Sequence, residues 1–477
     1  MNSPLWTRDE IAAATGARIG SGFVQATGAS IDTRTLEPGD LYFAIKGDVH
    51  DGHDFVTAAL EKGASTAIVS EEKAPEFAGS DRLIVVPDVL DAMRQLGRAA
   101  RARTNARIVA VTGSVGKTGT KEAMRAALSR QGATHASVAS YNNHWGVPLT
   151  LARMPRETEF GVFEIGMNHA HEILPLAGMV RPHVAVITTV EPVHIEFFPS
   201  LWGIADAKGE IFSGLESGGT AVINRDNPYF ERMRAHAYAS AAGRVITFGE
   251  HEAADIRANR IIVKPDHSVV DATIFGKPLT YRIGTAGRHH TLNSLSVLAA
   301  SHALGADIAL VALSFAELKP PVGRGERTML SVGEGEALLI DESYNANPAS
   351  MRAALANLGA VELERGARRI AVLGDMKELG ETGPRLHAEL AEAVHANGID
   401  QVFAAGALMQ NLVDALPKSL VAAHAQSSAD LVDAVCAAVR PGDAVTVKGS
   451  LSMKMALVVK ALKERYGASA TAHALKG

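Results

Sequence analysis

The stretch AVTGSVGKTGTKE, from Ala110 to Glu122, concentrates the residue types that phosphate chemistry needs. Gly113, Gly116, Lys117 and Thr118 form G-x-x-G-K-T, with Ser114 and Val115 between the glycines and Gly119 after the threonine. The longer phosphate-loop pattern, G-x-x-x-x-G-K-[ST], would want glycine where Val111 stands. The physics survives the shortening. Glycines let backbone amides converge on phosphate oxygens, Lys117 supplies a cation, and the Thr118 hydroxyl can ligate magnesium at a helix start. The apolar run NARIVAVTG before the loop and the helical run KEAMRAALSRQG after it give the required strand-to-helix context. An accidental glycine-rich turn is the competing reading of the bare motif.

Metal chemistry also needs carboxylates. Glu164 closes the apolar run FGVFEIG, and the carboxyl edge of an open sheet is where α/β proteins carry their sites. A second run, TTVEPVHIEFFPSLWGIADAKGEIF, supplies Glu191, His194, Glu196, Lys208 and Glu210. Alone, a histidine there reads as structural and a lysine as a surface residue; beside a phosphate loop both become candidates.

Three stretches of alternating strand and helix must position these groups. A chain of 477 residues exceeds what one hydrophobic core organises. Residues 1–104 read as a small α/β domain, with TAIVS and RLIVVPD as strands and a capping-box pair, Thr7 and Glu10, ahead of a short helix. Residues 105–319 read as a mainly parallel sheet covered on both faces, followed from Ile256 to Ile283 by an antiparallel appendage. Residues 320–477 repeat the strand-helix rhythm as a dinucleotide-fold-like domain, but no G-x-G-x-x-G follows its strands, so NAD is not implied.

Net charge of −5 and the lack of a long Lys/Arg block argue against nucleic acid as the main partner. No apolar run approaches the roughly 20 residues that cross a bilayer, and MNSPLWTRDEIAAATG is not a secretory leader, so a cytoplasmic location is the default. Cys436, the only cysteine, reads as the buried side of a helix.

These residues resemble the Mur ligase family, ATP-dependent amide-forming enzymes of peptidoglycan precursor synthesis. TGSVGKT, EIGMN and VHIE...AKGE match in order, and the likeness spans nearly the whole chain. IDTRTLEPGDLYFAIKGDVHDGHDF is similar to the family's uridine-nucleotide region, and DESYNANPASM, LGDMKELGE and VKGS to its C-terminal segments. SYNANP and GDMKELG point to the member that adds D-Ala-D-Ala to UDP-N-acetylmuramoyl-tripeptide, acting as a monomer. A folyl-polyglutamate synthetase-like ligase is the nearest rival, and the DGHDF segment argues against it.

The resemblance implies roles residue by residue. Lys117 and Arg324 would neutralise the transferred phosphoryl group. Thr118 and Glu164 would hold one magnesium ion, His194 and Lys208 a second. Asn293 would face adenine, and Asp341, Tyr344 and Asn345 would lie near ribose. Asp32, Thr33, Arg34, Lys46, Gly47 and His53 would bind the uridine diphosphate. Asn142 and Asn143 would face the muramoyl peptide, and Lys448, Gly449 and Ser450 the acceptor. A turn-forming role competes for the Asp341 segment. An ammonium cannot ligate a cation, and at pH 7 only about one free lysine in a few thousand is neutral; the family's answer is carbamylation, which would make Lys208 an anionic oxygen donor. Two positions depart from the family pattern: Gly119 follows GKT where a hydroxyl residue is frequent, and His290 stands at the first asparagine of H-N-x-x-N. No string reads the third residue of the tripeptide.

Overall fold

The computed structural model describes residues 4–47, 49–138, 140–264, 266–320 and 322–467. Its architecture is α/β, with three main sheets in chain order and a two-stranded ribbon near the start. The first sheet orders its strands Arg18–Ile19, Leu83–Val86, Thr66–Ser70, Asp40–Phe43 and Gly28–Ser30. Thr7 caps the helix Arg8–Thr15 in the expected capping box with Glu10.

The second sheet has nine strands, and Arg107–Thr112 lies between Val184–Ile187 and Phe160–Glu164, both parallel to it. Apart from half-buried Arg107 these strands are buried because helices cover both faces, which is why they read as nearly continuous apolar runs. The chain crosses from one side of Arg107–Thr112 to the other, so the carboxyl ends of these neighbours open a crevice at the reversal of strand order. The antiparallel appendage is an extension of this sheet: Ile256–Val263 joins Ala242–Gly249 in parallel, and only Ser268–Ile274 and Lys277–Ile283 run antiparallel.

The third sheet orders Glu326–Val332, Gly335–Glu342, Ala444–Lys448, Arg369–Gly374, Gln401–Ala405 and Val421–Ala425. Glu326–Val332 pairs antiparallel with Gly335–Glu342, so the strand-helix rhythm begins one hairpin late. Cys436 is buried in the helix Val432–Ala438, as expected.

The first unit is locked onto the second. The helix Val89–Ala102 packs on the helix Gly146–Ala152 so closely that a Cβ on Gly97 would lie 3.1 Å from the Pro148 carbonyl oxygen. Leu149 and Ala152 belong to the first unit's core, and Trp6 Nε1 donates to the Ala152 carbonyl at 2.8 Å. Arg101, buried on the same helix, donates to the carbonyls of Val180 and Arg181, both at 2.8 Å.

Candidate functional site

The phosphate loop leaves the strand Arg107–Thr112 and starts the helix Lys117–Leu128. Gly113 (φ 150°) and Gly116 (φ 88°) occupy backbone regions that side chains avoid. Space is equally restrictive: a Cβ on Gly113 would meet Thr188 Oγ1 at 1.8 Å, and one on Gly116 would meet Asn293 Oδ1 at 2.7 Å. Ser114 exchanges hydrogen bonds with the backbone of Glu191, its Oγ donating to the carbonyl at 3.0 Å and accepting from the amide at 2.9 Å. Lys117 Nζ donates to the Gly113 carbonyl at 2.6 Å, which folds the side chain back over the loop. Burial lowers the Lys117 ammonium pKa; Glu164 opposes that and Arg324 adds to it.

A cavity of about 450 Å³ opens over this loop, and Ser114, Val115, Gly116, Lys117, Thr118 and Gly119 all line it. Glu164, only 1% exposed, faces the same space from the adjacent strand. Its Oε1 accepts from Asn142 Nδ2 at 2.8 Å, while Oε2 is buried with no hydrogen-bond partner among the described residues. An unpaired carboxylate oxygen and the Thr118 hydroxyl, lining one cavity, are the kind of oxygen donors a hard dication takes, so these residues fit one magnesium ion.

The second set is less complete. His194 lines the cavity, with Nδ1 against the Glu378 carboxylate of the third unit. Lys208 is buried in the helix Leu201–Gly209, outside the lining, and its ammonium has no hydrogen bond or ion pair among the described residues. Burial and then the Lys117 charge hold Lys208 well below the ordinary lysine range. As an ammonium it does not fit a cation site.

Asn293 lies against Gly116, and with His290 it lines both this cavity and a narrow slot of about 40 Å³ bounded by Ile283, Leu318 and Pro320. Burial, then neighbouring His289, holds His290 well below the usual histidine range, which disfavours the charged imidazolium. The third unit closes the far wall with Arg324, Tyr344, Asn345 and Lys448. The Arg324 guanidinium stacks on the Tyr344 ring at 4.2 Å, and the Tyr344 hydroxyl donates to Ser140 Oγ at 3.0 Å, joining third unit to second. Asp341 lies outside the lining: its Oδ1 accepts from the amide and hydroxyl of Ser343 at 3.0 and 2.6 Å, which is the turn-forming alternative. Gly449 and Ser450 also lie outside it. Gly449 is pressed against Gly374 and Met455, and Ser450 Oγ accepts from the Lys377 amide at 2.9 Å.

In the first unit Asp32, Thr33, Arg34 and Gly47 line a cavity of about 600 Å³. Lys46 and His53 do not. Lys46 is exposed in a bridge to Asp51, and His53 is buried, with Nδ1 2.6 Å from Asp51 Oδ1 and Nε2 accepting from the Ser70 amide. Trp145, from the second unit, forms a wall of this cavity that sequence reasoning assigned no role; its ring tip would touch a Cβ on Gly47 at 3.1 Å. Asn142 and Asn143 line a third cavity of about 760 Å³, which shares Asn142, Gly166, Met167 and Asn168 with the phosphate-loop cavity.

Three family models match this chain in order: "Mur ligase family, catalytic domain" over residues 25–103, "Mur ligase middle domain" over 111–301 and "Mur ligase, glutamate ligase domain" over 323–451. The UDP-N-acetylmuramoyl-tripeptide--D-alanyl-D-alanine ligase of Escherichia coli is 35% identical over 91% of this chain and 93% of its own length. The chain belongs to the Mur ligase family. Among solved Mur ligases, the MurF of Acinetobacter baumannii superposes with a TM-score of 0.84 at 27% identity, covering 97% of this chain and 99% of that one. The Thermotoga maritima MurF ligase, solved in complex with ADP, gives 0.75 at 26% identity over 92% and 98%. Among the described residues of this Mur ligase, no helix is long and apolar enough to cross a membrane.

Proposed function

We propose that this chain is the ATP-dependent ligase that joins D-Ala-D-Ala to the terminal carboxylate of UDP-N-acetylmuramoyl-tripeptide, yielding the UDP-linked pentapeptide, ADP and phosphate. One observation carries the reading beyond family membership: the short run Tyr141–Trp145 borders all three cavities. A substrate with a nucleotide at one end and a reactive carboxylate at the other needs such a continuous path, and a compact amino-acid substrate does not.

The chemistry follows from the residues. The peptide carboxylate attacks the γ-phosphorus of ATP and ADP leaves; the amine of D-Ala-D-Ala then attacks the acyl carbon, loses a proton, and phosphate departs. Lys117 and Arg324 converge on the space where phosphoryl charge develops, so their attraction grows toward the transition state. His290 and Asn293 border the slot assigned to adenine. Asn142 holds Glu164 in the orientation that leaves Oε2 free. Magnesium held by Thr118 and Glu164 would supply charge neutralisation at the phosphates. Asp32, Thr33, Arg34 and Gly47, with Trp145, are assigned to the uridine nucleotide, and Lys448 to the acceptor side. The third unit supplies one wall, so closure over ATP would shield the acyl phosphate from water.

Carbamylation of Lys208 belongs to the same reading. A buried amine whose ammonium is disfavoured is the nucleophilic form that adds carbon dioxide, and the product carboxylate would complete the His194 set for a second magnesium. Lys208→Ala is expected to abolish ligation without rescue by bicarbonate; an active variant removes Lys208 from the site. The reading also includes a monomer in the cytoplasm, checked by light scattering and fractionation.

Phosphate release with single omissions tests the whole. Release that requires ATP, the UDP-linked tripeptide and D-Ala-D-Ala together is expected. Release independent of the dipeptide, or none with all three, overturns the assignment.

A further inference from the structure

The cavity of about 760 Å³ lies between the helices Val89–Ala102 and Ile173–Val180. Arg94 and Arg98, one turn apart on the first helix, both line it. Arg101, on the next turn, spends its guanidinium on two carbonyls and Glu216. Arg94 and Arg98 have no hydrogen bond or ion pair among the described residues. Two adjacent guanidinium groups repel each other until an anion sits between them, and their planar forks suit a carboxylate. Two acids, Asp91 and Glu172, line the same cavity. Glu172 accepts from the Asn168 amide at 2.8 Å and lies 3.0 Å from His169 Nδ1; Asp91 accepts from Gln95 Nε2 at 2.9 Å. The lining is thus the complement of a group carrying carboxylate and ammonium together.

We propose that this cavity receives the side chain of the tripeptide's third residue, and that Arg94 and Arg98 select a side chain ending in an amino-acid group, as in diaminopimelate, over one ending in a lone ammonium, as in lysine. The inference rests on the ligase reading, which places the reacting carboxylate of that same residue beside Lys117 and Glu164. Because Asn142, Gly166, Met167 and Asn168 line both cavities, a carboxylate can face the phosphate loop while the side chain on the same carbon enters the neighbouring space. A lysine side chain brings an ammonium toward two unpaired guanidinium groups and offers them nothing, which is selection by repulsion as well as attraction.

The test compares kcat/KM for the diaminopimelate and lysine forms of the UDP-linked tripeptide. The wild type is expected to favour diaminopimelate by roughly tenfold or more, about the worth of one hydrogen bond to a charged group. In Arg94→Ala/Arg98→Ala that ratio should fall to near one. Arg98 is exposed, so Arg98→Glu will fold, and it should move preference toward lysine. A wild type without preference, an unchanged ratio in the variants, or equal losses on both substrates overturns the proposal, the last by showing that the arginines meet a part common to both. Wild-type enzyme idle with either tripeptide would instead overturn the ligase reading itself.

Discussion

Asn142 Nδ2 donates to Oε1 of Glu164 at 2.8 Å, and the second oxygen of that buried carboxylate has no hydrogen-bond partner among the described residues. A buried acceptor left unsatisfied costs free energy, on the order of 1–3 kcal/mol, so the arrangement is retained against stability and suits a ligand that supplies the missing charge. Glu164→Gln keeps the shape and the bond to Asn142 but removes the charge. Its kcat should fall by about two orders of magnitude or more, with a raised magnesium requirement in a titration of rate against metal. Wild-type rates in this variant would assign the orphan oxygen to packing alone.

The hydrogen bond between Tyr344 and Ser140 joins the third unit to the second. Tyr344→Phe keeps the ring under Arg324 and deletes only the hydroxyl. One neutral hydrogen bond is worth about 1 kcal/mol, so KM for ATP should rise by about three- to tenfold with little change in thermal unfolding. Tyr344→Ala also removes the stacking surface of Arg324 and should lower kcat as well. Equal kinetics for the two variants would show that the hydroxyl, and not the ring, matters.

The loop, Glu164 and the strands beside them were legible because their causes are local: glycines where φ is positive, β-branched runs where both faces are covered, an acid where a strand ends. Asn293 needed family likeness to be noticed, and its packing on Gly116 joins residues far apart in sequence. Trp145 could not be found from its own neighbourhood, since it faces a cavity built by another unit. His53 and Asp341 show what residue type alone does not reveal. Both residue types suit binding, yet His53 is held between Asp51 and the Ser70 amide, and Asp341 accepts from the amide and hydroxyl of Ser343. Lys208 sits on a helix whose sequence looks half-solvated, and only packing reveals that its amine is buried beside Lys117.

That burial sets a pH dependence. The unfolded chain holds the Lys208 proton up to a pKa of about 10.4, whereas the folded protein releases it at lower pH because burial and Lys117 disfavour the charge. Between the two values the native state binds fewer protons, so stability rises with pH through that window, and the penalty is complete below it. In carbon-dioxide-free buffer without metal or nucleotide, Lys208→Met should therefore melt above the wild type by about a few degrees near neutral pH. The gap should shrink as pH approaches 10. Melting curves whose separation does not depend on pH would show that Lys208 carries no such penalty.

Trp145 offers a test of whether the first unit's cavity is completed from the second. Its indole lines one cavity with Asp32 and Arg34, on a loop whose other end holds Glu164 through Asn142. Loss of a ring that stacks on a base costs on the order of 1–3 kcal/mol, so Trp145→Ala should raise KM for the UDP-linked substrate by roughly tenfold or more. KM for ATP should stay within about twofold, because the indole lies in a different cavity from the phosphate loop. Trp145→Phe, which keeps an aromatic face, should recover most of the loss. Equal rises in both constants would mean that the substitution had displaced Asn142 and with it Glu164, and that Trp145 acts on the loop and not on the nucleotide.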